Sequence, residues 1–335
     1  MVTETAWVTV TVGSDAAFSA KKFYTTKGRK RPISSSAAPV LDAVPTPVET
    51  KAPAAVPTVE TVPQPSVDIN PGTNNPAPVD PGTAAPPAPV TPPTPAGGAP
   101  GGGRGRGLAF NEGKLLSRFL GSGSKITWVY NWAQTDDSNS GVEFVPMCWS
   151  DGKGFPATWA ANAQKMIDAG SKYLFSFNEP DNDGQANMTP EHAAQAHINL
   201  MNPFAGKAQI GTPSITNSGQ PDEGVRWLQR WFDACNGKCA ADFVNIHIYG
   251  FDTNTFLQHL INVHNQFKKP LWVTEFAFGG SDEEVNRQLG VVIDQIENNS
   301  TFSFVHRWSY FMAAEGMMVR GNSMSKYGQT FAYGS

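Results

Sequence analysis

Two short stretches of the chain hold the residue types that acid–base chemistry requires. Phe175-Ser176-Phe177-Asn178-Glu179-Pro180-Asp181 continues an apolar run begun at Tyr173 and stops it at an amide, a carboxylate and a proline. Leu271-Trp272-Val273-Thr274-Glu275-Phe276 follows the same plan, with a second glutamate at the end of an apolar strand pattern, 96 positions after the first. A carboxyl group beside a hydrophobic run must be desolvated or must find a partner. A glutamate held there, at the mouth of a core, is placed for proton transfer. If the two strands share one sheet, Glu179 and Glu275 form a carboxylate pair on one face. Between them, His247 and Tyr249 alternate with Ile246 and Ile248, so they share one side of a further strand.

The elements that must position these groups repeat in a regular order. Strand patterns run over Leu108–Phe110, Ile126–Trp132, Phe144–Trp149, Tyr173–Phe177, Ala208–Thr212, Phe243–Tyr249, Leu271–Phe276 and Val305–Phe311. Amphipathic segments separate them at Asn111–Phe119, Pro156–Ala169, from Thr189, Val225–Phe232, Asn254–Phe267 and Ser281–Ile296. Pro156 and Gly170 bracket one helix in the expected order, and Thr189 is a suitable N-cap for another. Asp282, Glu283 and Glu284 suit the positive end of the last helix. Trp227 and Trp231 share a helix face and are expected to pack on the barrel, whereas His192, His197, His259 and His264 lie on helices and are expected to be solvated. Eight strands alternating with helices predict an α/β fold, a (β/α)₈ TIM barrel, in which chemistry sits at the carboxyl ends of the strands. Glu179 then follows the fourth strand and Glu275 ends the seventh.

Composition divides the chain. Of its 335 residues, the span from Pro32 to Pro100 holds 19 of the 27 prolines. That stretch of Pro, Ala, Thr, Val and Gly has too little apolar surface to offset the entropy of ordering it, so residues 1–107 read as a disordered N-terminal region and linker. Residues 97–107 read as its flexible hinge, and residues 108–335 as the barrel. Within the first part, Trp7–Val12 alternates as a strand would but shows no partner strand nearby. The cluster Lys27-Gly28-Arg29-Lys30-Arg31 is either a solvated charge run, a processing site or a localisation signal.

Net charge is −4 with 16% charged residues, which excludes the basic face of a nucleic-acid binder. No apolar run reaches the length of a membrane span. The N-terminus also lacks the basic start and apolar core of a secretory signal. Cys235 and Cys239 flank an Asn-Gly turn and are either bridged or free, and Cys148 reads as a small buried hydrophobe. No Cys/His spacing suits a metal, so neither metal nor organic cofactor is expected. Nine tryptophans are generous for a core and suggest a groove lined with aromatic rings.

A carboxylate pair at a barrel mouth is the apparatus for cleaving a glycosidic bond, one acid protonating the leaving oxygen while the other attacks or activates water. Five motifs in order give this reading a family. Trp128-Val129-Tyr130-Asn131-Trp132, Val145-Pro146-Met147-Cys148-Trp149, Phe175 to Asp181, Asp242 to Gly250 and Trp272-Val273-Thr274-Glu275-Phe276 resemble glycoside hydrolase family 128, the catalytic domain of "alkali-sensitive linkage" type fungal wall proteins. The resemblance covers residues 108–335. It implies a retaining endo-β-1,3-glucanase, extracellular or in the cell wall, with Glu179 as acid/base and Glu275 as nucleophile; a monomer without a cofactor is expected. Asn178, Trp132, Trp149, His247 and Tyr249 would bind the glucan, as would Trp308 and Tyr310 of the last strand. Two positions depart from the family pattern: Ile248 and Tyr310 stand where Trp is usual, which bears on subsite shape but not on the carboxylates. Trp132 and Trp149 fit core packing as well as sugar stacking. The rival readings are a wall protein that binds glucan without turnover, and a glycosidase of the same clan acting on another β-linked polysaccharide. Asn298 and Asn299, in Asn298-Asn299-Ser300-Thr301, match N-glycosylation acceptors on a secretory route.

Overall fold

A computed structural model describes residues 6–12, 16–22 and 104–334. The Pro-rich stretch and the basic cluster lie outside the described residues. Ala6–Val12 does have a partner: it pairs antiparallel with Ala16–Lys22, from Ala6↔Lys22 to Val12↔Ala16. The second strand, Ala-Ala-Phe-Ser-Ala-Lys-Lys, alternates too weakly to be noticed alone.

From Gly105 the chain alternates strand and helix. The strands are β1 (Gly105–Phe110), β2 (Ile126–Tyr130), β3 in two parts (Glu143–Phe144 and Met147–Trp149), β4 (Tyr173–Phe177), β5 (Gln209–Ile210), β6 (Val244–Tyr249), β7 (Leu271–Ala277) and β8 (Val305–Ala313). The helices are α1 (Phe155–Asp168), α2 (Pro190–Leu200), α3 (Gly224–Cys235), α4 (Thr253–Phe267), α5 (Asp282–Asn298) and α6 (Lys326–Tyr333). The pairs among these eight strands are all parallel, in the order β3-β2-β1-β8-β7-β6 and, from the second part of β3, β3-β4-β5, while a short antiparallel hairpin, Val319–Arg320 with Ser323–Met324, lies between β8 and α6. Parallel bridges at Gly211↔Phe243 and Ile215↔Ile246 join β5 to β6 and close the ring. The result is the expected (β/α)₈ barrel. β3 breaks at Val145-Pro146, where proline has no N–H to give the ladder.

Three details differ from expectation. The strand expected from Leu108 begins at Gly105, and Arg106 is 1% exposed. Its guanidinium forks onto Glu297 of α5 (2.7 and 2.8 Å) and reaches the Phe331 carbonyl of α6 at 2.8 Å. After β1 there is only a 3₁₀ helix, Gly113–Arg118, and after β2 no helix at all. The four helical histidines are not alike. His192 is exposed and paired with Asp151, but His197 is fully buried between Ser176 Oγ (2.9 Å) and the Ala240 carbonyl (2.7 Å). Burial pulls the His197 and His259 pKa values down to about 4.

Side chains inside the barrel form an aromatic plug of Trp128, Tyr130, Phe175, Phe243 and Trp272, with Phe243 stacked on Trp272 at 4.4 Å. The Arg307 guanidinium lies 4.2 Å from the Tyr173 ring and 4.7 Å from that of Trp272, and pairs with Glu143 at 2.8 Å. A desolvated cation over such faces is worth on the order of 2 kcal/mol. Gly107 makes room for the plug, since a Cβ there would stand 2.2 Å from the Trp128 ring. Outside the strands, Trp227, Trp231, Leu228, Val292 and Phe331 belong to the layer packed under the helices. Thr189, Asp252, Ser281 and Ser325 cap α2, α4, α5 and α6 through their side-chain oxygens. Cys235 and Cys239 are bridged, and Cys148 is free and buried.

Candidate active site

The two glutamates arrive at the same place. Glu179 and Glu275 are 9% and 6% exposed, and with His247 they offer ligand atoms all within 4.8 Å of one another. Glu179 follows β4 in the left-handed region, at φ 42°. Trp132 (φ 59°), just after β2, and Trp149 (φ 61°), the last residue of β3, do the same. A non-glycine residue costs on the order of 1–3 kcal/mol there and persists only when its surroundings hold it. At Glu179 they do. Its N–H donates to the Ser214 carbonyl at 2.8 Å, and its own carbonyl accepts from Asn182 N–H at 3.0 Å.

Each carboxylate has its own donors. Glu275 Oε1 accepts from the Trp132 indole N–H at 2.7 Å, and Oε2 from the Tyr249 hydroxyl at 2.5 Å. Glu179 Oε1 accepts from His247 Nδ1 at 2.8 Å and Oε2 from the Asn182 amide at 3.1 Å. His247 Nε2 lies 3.1 Å from Thr274 Oγ1 and 3.5 Å from Glu275 Oε1. The imidazole therefore sits between the two acids. Burial alone would lower its pKa, but the opposing charges of Glu275 and Glu179 outweigh this and leave it raised. Burial, then the charge of Glu275, holds the Tyr249 and Tyr130 hydroxyls well above the ordinary phenol value, so both stay protonated donors.

Asp181, which the sequence placed in the motif without a role, braces the loop that carries Glu179. Its carboxylate accepts from the Thr216 hydroxyl (2.6 Å), Thr216 N–H (3.1 Å) and Gly224 N–H (2.8 Å). This ties the β4 exit to the β5 exit and to the start of α3. Desolvation outweighs those donors and lifts its pKa to about 6. Such a brace leaves no periodicity to read, because its partners lie 35 and 43 residues away.

Of the expected sugar-binding residues, the structure gathers His247, Tyr249 and Trp132 around the acids. Trp132 donates to Glu275 through its indole N–H. Asn178 is buried after β4, its amide donating to Gln185 Oε1 at 3.2 Å and its Oδ1 unpartnered in the protein. Trp149 ends β3, buried and stacked on Phe155 at 5.6 Å. Trp308 and Tyr310 are not brought there. Alternation along β8 turns Arg307 and Phe311 inward and Trp308 and Tyr310 outward, where Tyr310 packs on Phe276 (5.1 Å) and Tyr327 (5.5 Å). The β8 ring at the site is Phe311, 5.7 Å from both Trp132 and Tyr249.

Comparison with known proteins agrees with this geometry. Residues 107–331 match the family described as glycosyl hydrolase catalytic core. A crystal structure of a subgroup III curdlan-specific exo-β-1,3-glucanase of family 128 from Blastomyces gilchristii shares 35% identity, over 70% of this chain and 99% of that one, with a TM-score of 0.62. The chain belongs to glycoside hydrolase family 128. A subgroup I endo-β-1,3-glucanase from Amycolatopsis mediterranei, solved with laminaritriose, is 26% identical over 69% of this chain and 98% of its own, at TM-score 0.55. Alkali-sensitive linkage protein 1 of Schizosaccharomyces pombe is 28% identical over 224 residues, and the match spans only 39% of that protein's length. For this family 128 chain, the fold and the class of reaction, glycoside hydrolysis, follow from these matches.

Proposed function

We propose that this family 128 barrel hydrolyses β-1,3-glucan with retention of configuration, Glu179 as acid/base and Glu275 as nucleophile. The observation that carries the reading is the proximity of two buried carboxylates, one oxygen of Glu179 lying within 4.8 Å of one oxygen of Glu275. Retaining pairs stand about 5–5.5 Å apart, whereas inverting pairs leave about 6.5–9.5 Å for a water. In the first step Glu179 gives its proton to the glycosidic oxygen and a Glu275 oxygen attacks the anomeric carbon. Trp132 and Tyr249 orient that carboxylate. In the second step Glu179 takes a proton from water, which displaces Glu275 as a carboxylate, and the same two donors receive the returning charge. Asn178, with an unpartnered buried oxygen, is the group placed to meet a sugar hydroxyl.

Reducing-sugar release from laminarin tests the activity, and Glu275→Ala with azide tests the roles. Restored turnover as an α-glycosyl azide is expected; the β-anomer would exchange the two glutamates, and glucan binding without release would leave only a binding protein. Endo cleavage is the mode implied by the motifs. Exo cleavage is favoured by one observation, the 35% identity to the Blastomyces gilchristii exo-enzyme against 26% to the Amycolatopsis mediterranei endo-enzyme. Product ladders from laminari-oligosaccharides of increasing length separate the two.

An extracellular or wall location is supported by the Cys235–Cys239 bridge, since disulfides persist in oxidising compartments, and by the fission-yeast relative's name. Among the described residues no helix is long and apolar enough to cross a membrane. We take the barrel to act as a monomer.

A further inference from the structure

We propose that Asn299 is an N-glycosylation site, taking its glycan at the barrel end opposite the carboxylate pair. The proposal rests on the extracellular reading above. Asn298-Asn299-Ser300-Thr301 offers two overlapping acceptors, and Asn187-Met188-Thr189 a third. The fold distinguishes them.

Asn298 is the last residue of α5, and its amide is turned back along the helix to Asp294 Oδ1 at 2.9 Å. Asn299 has left the helix, with extended backbone at φ −94° and ψ 117°. Its Oδ1 accepts from Thr301 N–H at 2.9 Å, which folds the acceptor amide and the Thr301 hydroxyl side onto one turn. One Nδ2 hydrogen of Asn299 is used on Gln295 Oε1, at 2.9 Å, so the other is the one a sugar can replace without loss of either bond. Ser300 and Thr301 are exposed. Asn187 and Thr189 are likewise exposed, but Asn187 sits in the left-handed region, at φ 47°. Thr189 Oγ1 is committed to capping α2 through His192 N–H, and Pro190 restricts Thr189 to extended backbone.

Position makes the modification compatible with catalysis. α5 leaves the carboxyl end of β7, next to Glu275, and runs back to the start of β8. Asn299 therefore stands on the approach to the amino end of β8, where Leu271 N–H pairs with the Phe304 carbonyl. A bulky, solvated glycan there keeps clear of the mouth. The chemistry is a group transfer from a lipid-diphosphate oligosaccharide. The bond between Asn299 Nδ2 and the anomeric carbon forms, and the bond from that carbon to the diphosphate oxygen breaks with its electron pair staying on the diphosphate. The amide proton passes to a base of the transferase.

The test exploits the overlap. The full chain is produced behind a secretory leader in a fungal host, alongside Thr301→Ala, which ends the Asn299 acceptor only, and Ser300→Ala, which ends the Asn298 acceptor only. Both substituted side chains are exposed, so folding and laminarin hydrolysis should be unchanged. The wild-type chain and Ser300→Ala are expected to lose gel mass on amidase release of glycans and to show Asn299 converted to aspartate in the peptide spectrum, whereas Thr301→Ala should show neither. A glycan found on Asn298 or Asn187 instead, or a leader-directed chain with its disulfide formed and Asn299 bare, overturns the proposal. Protein purified from its own cells with Cys235 and Cys239 both reduced would instead defeat the extracellular reading, and the proposal with it.

Discussion

Tyr249→Phe removes one hydroxyl and nothing else from the site, and the structure gives that hydroxyl one task, donating to Glu275 Oε2 at 2.5 Å. A buried hydrogen bond to a charged group is worth about 1.5–3 kcal/mol. At 1.36 kcal/mol for each factor of ten, its complete loss in one step slows that step about 10- to 150-fold. The step matters. When Glu275 attacks, its charge is leaving, so a missing donor costs the first step little. When water displaces Glu275 from the sugar, the carboxylate charge returns, and the missing donor raises that barrier by nearly the whole amount. With an aryl laminari-oligosaccharide bearing a good leaving group, kcat should therefore fall within that range and the glycosyl-enzyme should accumulate. A burst of aryl alcohol in stopped flow, and an intact mass increased by the glycosyl unit, would record it. Trp132→Phe removes the donor on Oε1 and should act in the same direction. A kcat within twofold of wild type, or a large loss with no burst and no covalent adduct, would refute the assignment of Glu275 as the group that leaves.

Gly107→Ala puts a methyl group 2.2 Å from the Trp128 ring, and overpacking of this kind should cost about 1–3 kcal/mol or prevent folding, read from the urea midpoint. Asp181 has its folded pKa lifted from 3.8 to about 6, so the folded state holds that proton more tightly. Its contribution is complete below pH 3.8 and is lost as pH rises through about 6. The loss is about 3 kcal/mol, and Asp181→Asn should delete it from a urea series across that window. His247 has a raised folded pKa, so the stability it contributes as imidazolium is present below pH 6.5 and disappears above its folded value. The difference between wild type and His247→Gln should shrink along that limb. Replacing Cys235 and Cys239 together by serine opens a loop of few residues and should cost about 2 kcal/mol in the chain-entropy account, measured by the same denaturation.

The fold was legible because its signals are local and repeated. Tyr173–Phe177 has the same ends in sequence and structure, and the other strands differ by a few residues. Strand-end glutamates could be seen because an ionisable residue closing an apolar run is an anomaly that a core must explain. What could not be read depends on register and on distant partners. A glycine-flanked arginine reads as linker, which puts the expected start of β1 after Arg106. Its burial is made acceptable by distant partners, Glu297 191 residues later and the Phe331 carbonyl beyond it. His197 was placed in solvent by its helix, whereas Ser176 and Ala240 satisfy both of its nitrogens inside the core.

Trp308 and Tyr310 show the same limit more sharply. A strand has two faces of equal sequence plausibility, and an aromatic on either face can be matched to a family motif. The face is set by neighbours: Arg307 must turn inward to reach Glu143 and the Tyr173 and Trp272 rings, since an unpaired guanidinium could not remain under the plug. Once Arg307 is inside, the period of two sends Trp308 and Tyr310 out and Phe311 in. The partly buried ion pair of Arg307 and Glu143 at the floor of the barrel thus decides which ring stands beside the carboxylates at its mouth. Its disruption should be felt there, with Glu143→Gln loosening β8 and altering the contacts of Phe311 with Trp132 and Tyr249. Laminari-oligosaccharide KM and the burst of the aryl substrate are the quantities to compare, and unchanged values in a folded Glu143→Gln protein would show that floor and mouth are independent.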